Sequence, residues 1–140
     1  MVYTDEVKQK IDNILKAFED YIEYQNYFDI VFSKKAGYLW IVAKPFNFFA
    51  PELLSTPEEL LDELFNSIIT DVVFSRGSYA ESISIRPLTE SEETESRRRI
   101  AGILKTISGG GSEYLEYLDR YIKNYQGRFA KNQMPGPIVK

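Results

Sequence analysis

The sequence predicts an α+β domain in which a small, mainly antiparallel sheet packs against about four helices, in the order α-β-β-α-β-α-α. Two observations predict this class. Apolar residues recur every three to four positions in several long segments, which is the period of a helix. Shorter segments, rich in β-branched and aromatic residues and bounded by turn residues, are typical of strands. Because 140 residues suit one hydrophobic core, we expect a single domain over residues 1–132 and a mobile tail at 133–140.

The helix starts are the clearest local signals. Thr4 can cap the first helix through its hydroxyl, and the acidic residues that follow it suit the positive end of the helix dipole. Thr56 followed by Pro57 predicts the start of a second helix, which is apolar around much of its circumference. Thr89 and Glu92 have the spacing of a capping box and predict a third helix. Since the apolar residues of this helix occupy only its second half, we expect its first half to project into solvent or to fray.

A hairpin is predicted after the first helix, with strands over residues 27–33 and 38–44 and a turn between them. We expect Ser33 to pair with Tyr38. This register gathers one apolar face from Phe28, Ile30, Phe32, Leu39, Ile41 and Ala43. The opposite face then carries Val31, Tyr38, Trp40 and Val42, and we expect residues 45–54 to cover it.

Two further elements complete the predicted order. Polar and apolar residues alternate over Ser82–Arg86 and stop at Pro87, which predicts a third strand. The glycine-rich segment 108–112 then separates the third helix from a last helix, predicted from Glu113 to about Phe129.

The chain contains no cysteine and no histidine. The first absence excludes disulfides and thiolate chemistry, and the second removes the commonest general base and metal ligand. We therefore expect no enzymatic activity, no cofactor and no metal site. The amino terminus does not resemble a signal peptide, and no apolar stretch approaches the ~20 residues of a membrane span, so we expect a cytoplasmic protein without membrane contact. A net charge of −4 argues against nucleic acid as a partner.

Two segments near the last helix are candidates for anion binding. The weaker one is the glycine-rich loop, formed by Gly109, Gly110, Gly111 and Ser112. It lacks the lysine of a P-loop and follows a helix, so a flexible connection is the favoured interpretation. The other is Arg97–Arg99, a candidate for binding phosphate or RNA, but the three side chains point about 100° apart on a helix. Glu93 and Glu95 each precede an arginine by four positions, so we expect an ion-paired helix surface instead.

Tyrosines of the last helix are the most suggestive feature. Four of them lie within one arc, and two aromatic residues of the hairpin could extend the same surface: Tyr114, Tyr117, Tyr121, Tyr125, Tyr38 and Trp40. Tyrosine combines an apolar ring with a polar hydroxyl, which suits both the edge of a core and a protein interface. Both interpretations remain open from the sequence, and the interface is our hypothesis.

The sequence therefore favours a non-catalytic protein-interaction module that associates with itself, most simply as a homodimer. Its small size and acidic charge also suit an inhibitor or immunity-type protein that binds a basic partner. The alternative from another class is a small-ligand-binding domain that uses the apolar hairpin face and the loop Phe46–Phe49.

Overall fold

The computed structural model describes residues 3–42, 51–75, 86–107 and 111–132. The helices and strands found there are α1 Asp5–Ala17, α2 Glu19–Tyr24, β1 Phe28–Ser33, β2 Gly37–Val42, β3 Glu52–Leu54, α3 Pro57–Ser75, α4 Glu90–Leu104 and α5 Gly111–Asn132. The strands form one antiparallel sheet in the order β1-β2-β3, which confirms the α+β class. The chain divides into two compact units, Met1–Glu63 and Leu64–Lys140. The single domain over residues 1–132 stays a prediction, and the tail at 133–140 lies outside the described residues.

Two elements differ from the predicted order. The first helix is divided into α1 and α2 at Phe18, whose backbone leaves the helical conformation at φ −93° and ψ 9°. The third strand of the sheet is β3, which precedes α3 and lies in the segment predicted to cover the hairpin. With three residues, β3 is too short to show an alternating pattern, and only its pairing with β2 identifies it. All but the last residue of the strand predicted at Ser82–Arg86 lie outside the described residues.

The predicted hairpin register was wrong by one residue on β2. Ser33 pairs with Gly37 rather than with Tyr38, and residues 34–36 form the turn. Gly37 adopts φ +108°, a conformation that residues with a side chain rarely adopt. A Cβ atom added there would also lie 2.6 Å from the Tyr3 hydroxyl oxygen. Because side chains alternate along a strand, the shift moves every β2 side chain to the opposite face of the sheet.

The inner face of the sheet is the face that packs against α1 and α2. Its apolar and aromatic residues are Phe28, Ile30, Phe32, Tyr38, Trp40, Val42 and Leu54. Phe28 stacks on Trp40 with ring centroids 3.8 Å apart. Its ring centroid lies 6.4 Å from that of Tyr21 on α2. The Tyr38 hydroxyl donates a hydrogen bond to Asp12 of α1. These contacts place the core of the first unit between the two helices and the sheet.

Two side chains that the sequence did not single out satisfy backbone groups of the first unit. The Tyr3 hydroxyl donates to the Leu54 carbonyl oxygen at 2.6 Å and accepts from the Tyr38 amide at 2.9 Å. The Gln25 side chain, 7 % exposed, donates to the Phe28 carbonyl oxygen at 3.0 Å and accepts from the Phe28 amide at 3.1 Å. Tyr3 therefore joins the segment before α1 to β2 and β3, and Gln25 holds the start of β1 against α2.

The helix α3 begins where the sequence predicts. The Thr56 hydroxyl accepts a hydrogen bond from the Glu59 amide at 3.1 Å. Adjacent pairs of apolar residues along the helix are each at most 2 % exposed: Leu60, Leu61, Leu64, Phe65, Ile68, Ile69, Val72 and Val73. This burial confirms the broad apolar surface that the sequence predicts for this helix.

In the second unit, α4 and α5 are joined by polar contacts beside an apolar core. Arg97 pairs with Asp119 at 3.0 Å. The Gln126 side chain accepts from the Leu88 amide at 2.8 Å and donates to the Leu88 carbonyl oxygen at 3.1 Å. The buried apolar residues of the two helices include Ile100, Leu104, Leu118 and Ile122. The polar contacts fix the segment before α4 against the last helix.

The first half of α4 neither frays nor projects into solvent, and that prediction was wrong. The predicted capping box of Thr89 and Glu92 is present. Glu92 and Ser96 are 2 % and 0 % exposed, so polar residues are buried where the sequence indicated a wet surface. The prediction of an ion-paired surface is confirmed, because carboxylates of Glu93 and Glu95 pair with Arg97, Arg98 and Arg99.

Candidate interaction surfaces

Two of the four tyrosines predicted as an interface on α5 are buried. Tyr114 and Tyr125 are 6 % and 5 % exposed. Tyr117 and Tyr121 are half-buried, with ring centroids 6.2 and 5.4 Å from the ring centroid of Phe65. Only Tyr117 and Tyr121 therefore retain surface that a partner could contact. The interface itself stays a prediction.

The hairpin aromatics of the predicted interface also differ in burial. Tyr38 is 4 % exposed, and its hydroxyl donates to Asp12, which also pairs with Lys8 at 3.1 Å. Burial, together with the Asp12 carboxylate, raises the pKa of the Tyr38 phenol above its ordinary value. A phenol held protonated in this way serves as a hydrogen-bond donor and is poorly suited to act as a nucleophile. Trp40 is half-buried against Phe28.

The outer face of the sheet carries an apolar surface that sequence reasoning missed, formed by Val31, Leu39, Ile41 and Leu53. Val31 pairs with Leu39, which pairs with Leu53, so these three form a row across the sheet. Val31 and Leu53 are 37 % and 43 % exposed, whereas Leu39 and Ile41 are half-buried. Side chains paired in this way lie about 5 Å apart, close enough to form one surface. The register error hid this surface, because it placed Leu39 and Ile41 on the same face as Phe28.

An open groove of about 440 Å³ lies between α1, α2 and β1. We call it the β1 groove; its lining residues are Leu15, Lys16, Glu19, Ile22, Glu23 and Ile30. The three apolar residues are half-buried, and the three charged residues are exposed. Ile30 is the one sheet residue in this lining, and it belongs to an edge strand of the described sheet. The groove therefore adjoins a strand edge.

The side of the β1 groove that α2 forms is acidic. This helix has the sequence Glu-Asp-Tyr-Ile-Glu-Tyr and contains no basic residue. Glu19 and Glu23 line the groove, and Asp20 follows Glu19 on the same helix. We call these three residues the acidic wall. None of these three carboxylates forms an ion pair or hydrogen bond with a side chain in the ranges that the structure describes. Their charge is therefore available to a partner.

The other predicted sites fall largely outside the described residues. Gly109 and Gly110 of the anion site lie there, as does the loop Phe46–Phe49 of the proposed ligand pocket. Gly111 and Ser112 begin α5, so the anion site stays a prediction. Within residues 3–42, 51–75, 86–107 and 111–132, no group of three or more acidic side chains is placed to hold a metal ion. No helix in those ranges is long and apolar enough to cross a membrane.

Two surfaces of the first unit thus remain as candidates, the outer face of the sheet and the β1 groove. Comparison of the chain with protein-family models, curated protein sequences and solved structures found no match. The geometry and charge of these two surfaces are therefore the features that indicate a function.

Proposed function

We propose that this protein is a non-catalytic protein-interaction module that associates with itself, most simply as a symmetric homodimer. The observation that carries the proposal is the row of Val31, Leu39 and Leu53 on the outer face of the sheet, exposed at both of its ends. Exposed apolar side chains that belong to one continuous surface, here joined through the half-buried Leu39, are characteristic of protein contacts. A two-fold axis brings the same patch of two copies together, and an apolar patch is complementary to itself.

The tyrosine surface of α5 supports the same function less strongly. Tyr114 and Tyr125 are already buried within a single chain and have little area left to lose on association. Tyr117 and Tyr121 are half-buried and also contact Phe65. A contact through α5 would therefore involve fewer tyrosines than the sequence suggested.

The substitution Leu53→Glu tests the proposal. Leu53 is 43 % exposed, so its replacement leaves a carboxylate in solvent in the single chain. In the dimer the same carboxylate would be buried without a partner, which costs several kcal/mol. We expect the wild-type protein to show the mass of a dimer by light scattering, and Leu53→Glu to weaken association at least about tenfold.

Tyr24→Glu is the matched control, because it introduces the same charge at a residue that is 80 % exposed and lies outside the sheet. We expect it to leave association unchanged, with circular dichroism confirming the fold of both variants. A wild-type protein that stays monomeric at every concentration would contradict self-association. Dissociation by Tyr117→Glu but not by Leu53→Glu would instead move the interface to α5.

A further inference from the structure

The outward edge of β1 presents backbone groups that can receive another strand. The Tyr38 amide donates to Tyr3 and not to β1, so Phe32 and Tyr38 form a non-hydrogen-bonded pair. By alternation, Ile30 and Phe32 direct their amides and carbonyl groups away from β2. In the part of the chain that the structure describes, no strand pairs with that side of β1. Such an edge is a template for strand addition.

One of these outward groups is held by an exchangeable contact. The Ile30 amide donates to the Asp29 carboxylate at 2.8 Å. Asp29 is exposed and is the neighbouring residue of the same strand, so its rotation would release the amide. A docking strand would exchange this local bond for a backbone hydrogen bond, and Asp29 would then be free to pair with a cation on that strand.

The β1 groove supplies a place for the side chains of the added strand. Ile30 lies on the inner face and lines the groove together with Leu15 and Ile22. Alternate side chains of an extended peptide point to the same side. A peptide paired with β1 would therefore direct every second side chain toward this apolar lining.

The charge around the groove determines which residue types are favoured at the peptide positions that do not contact the apolar lining. The acidic wall of Glu19, Asp20 and Glu23 has no counter-charge within α2. Asp29 adds a further carboxylate on the outer face of β1, where the peptide's alternate side chains would point. Lys16 is the one basic residue in the lining of the groove. The balance is acidic, so lysine or arginine side chains on the peptide are favoured.

We propose that the β1 groove binds an extended segment of a partner protein, in which apolar residues alternate with polar ones and lysine or arginine flanks them. The segment adds as a strand to the outward edge of β1, places an apolar side chain against Ile30 and pairs its basic side chains with the acidic wall. The proposal does not depend on self-association, because the outer face of the sheet carries that contact and the groove lies on the inner face.

A synthetic peptide of sequence Lys-Thr-Val-Lys-Val-Thr-Lys, titrated into the whole protein, tests the proposal. Its valines and terminal lysines point to one side of the extended chain, toward the groove and the acidic wall, and its central lysine points to the other side, toward Asp29. We expect saturable binding with a dissociation constant below about 1 mM, measured by calorimetry. In NMR spectra of the protein, we expect the amide chemical shifts of β1 to change as the peptide binds. Two altered peptides define the mode of binding. Replacing each lysine by glutamate removes the charge complementarity, and N-methylation of alternate amides removes the backbone donors, so we expect each change to weaken binding at least about tenfold.

Variants in the groove, each compared with a control variant elsewhere, test whether peptide binding depends on the groove or only on net charge and stability. Glu19→Lys with Glu23→Lys should weaken binding at least about tenfold. Glu113→Lys with Glu116→Lys changes the net charge equally at exposed residues that do not line the groove, and should leave binding nearly unchanged. Ile30→Ala should weaken binding while Val31→Ala should not, because these neighbours lie on opposite faces of the same strand. Circular dichroism checks that each variant is folded.

Three results would overturn the proposal. The first is the absence of saturable binding at peptide concentrations up to about 1 mM. The second is that the N-methylated peptide binds with the same affinity as the unmodified one. The third is that the two double charge variants lose peptide affinity to the same extent. Dissociation of the dimer by the peptide would also overturn it, since the occupant of the groove would then be a second copy of this chain.

Discussion

Replacing Glu92 by glutamine removes a buried charge while nearly preserving the shape of the side chain. The Glu92 carboxylate accepts hydrogen bonds from the Arg86 guanidinium at 2.9 and 3.0 Å, and its side chain is 2 % exposed. The same carboxylate accepts from the Thr89 amide at 2.9 Å and so closes the capping box at the start of α4. Glutamine can keep the bond to Thr89, but it cannot neutralise Arg86.

The size of the effect follows from the pKa of this carboxyl. Hydrogen bonding to Arg86, against the opposing effect of burial, lowers the pKa of Glu92 from 4.5 to about 2. Because one pKa unit corresponds to about 1.4 kcal/mol, the difference contributes about 3 kcal/mol to the free energy of unfolding. The folded-state pKa is the lower one, so this stabilisation is present above a pH of about 4.5 and is lost as the pH falls toward about 2. We expect Glu92→Gln to lower the free energy of unfolding by about 2–4 kcal/mol at neutral pH.

Urea denaturation followed by circular dichroism, at neutral pH and at a pH of about 2, measures this difference. The matched control is Glu95→Gln on the same helix, whose carboxylate pairs with Arg98 and Arg99 at the surface. Solvent screens those pairs, so the control should lose less stability than Glu92→Gln. Equal losses in the two variants would refute the reasoning. So would a difference between the wild type and Glu92→Gln that stays constant down to the lowest pH.

Two further substitutions test a half-buried carboxylate and a buried hydroxyl. Burial, followed by the neighbouring Glu52 carboxylate, raises the pKa of Glu63 to about 7, so the stability linked to its proton is present below about pH 4.5 and is lost as the pH rises through about 7. Glu63→Gln should therefore raise the free energy of unfolding by up to about 3 kcal/mol above about pH 7, and by little at acidic pH. A gain in stability that does not vary with pH in urea denaturation would contradict this. The Ser96 hydroxyl is buried without a hydrogen-bond partner among the described residues. Ser96→Ala should leave the unfolding midpoint unchanged or raise stability by up to about 1 kcal/mol, and a clear loss of stability would be evidence of a bond to that hydroxyl.

Local chemistry made the helix starts predictable. Thr4, Thr56 and Thr89 each accept a hydrogen bond from an amide three residues later, as their sequence context indicates. These bonds join residues that are neighbours on any helix, so they need no knowledge of the rest of the chain. The ion pairs between carboxylates and arginines of α4 were predictable for the same reason.

Contacts between distant residues decided what the sequence could not. Ser33 pairs with Gly37 because that glycine takes the left-handed conformation beside Tyr3, a residue more than thirty positions earlier. Glu92 and Ser96 are polar, so no apolar period could show that the first half of α4 is buried. The partner that makes burial of Glu92 favourable is Arg86, which lies outside the helix.

For the candidate surfaces too, some features follow from the sequence and others only from the tertiary structure. Composition alone excluded thiolate and imidazole chemistry, and helical periodicity identified the face of α5 on which Tyr114 and Tyr125 are buried. Both faces of the hairpin are apolar, so the alternation of side chains cannot tell which of them stays exposed. The packing of α1 and α2 made that choice, by covering Phe28, while Val31 and Leu53 at the two ends of the outer row stay exposed. The outward edge of β1 is likewise a property of strand order, which depends on hydrogen bonds between segments and not on the composition of any one of them.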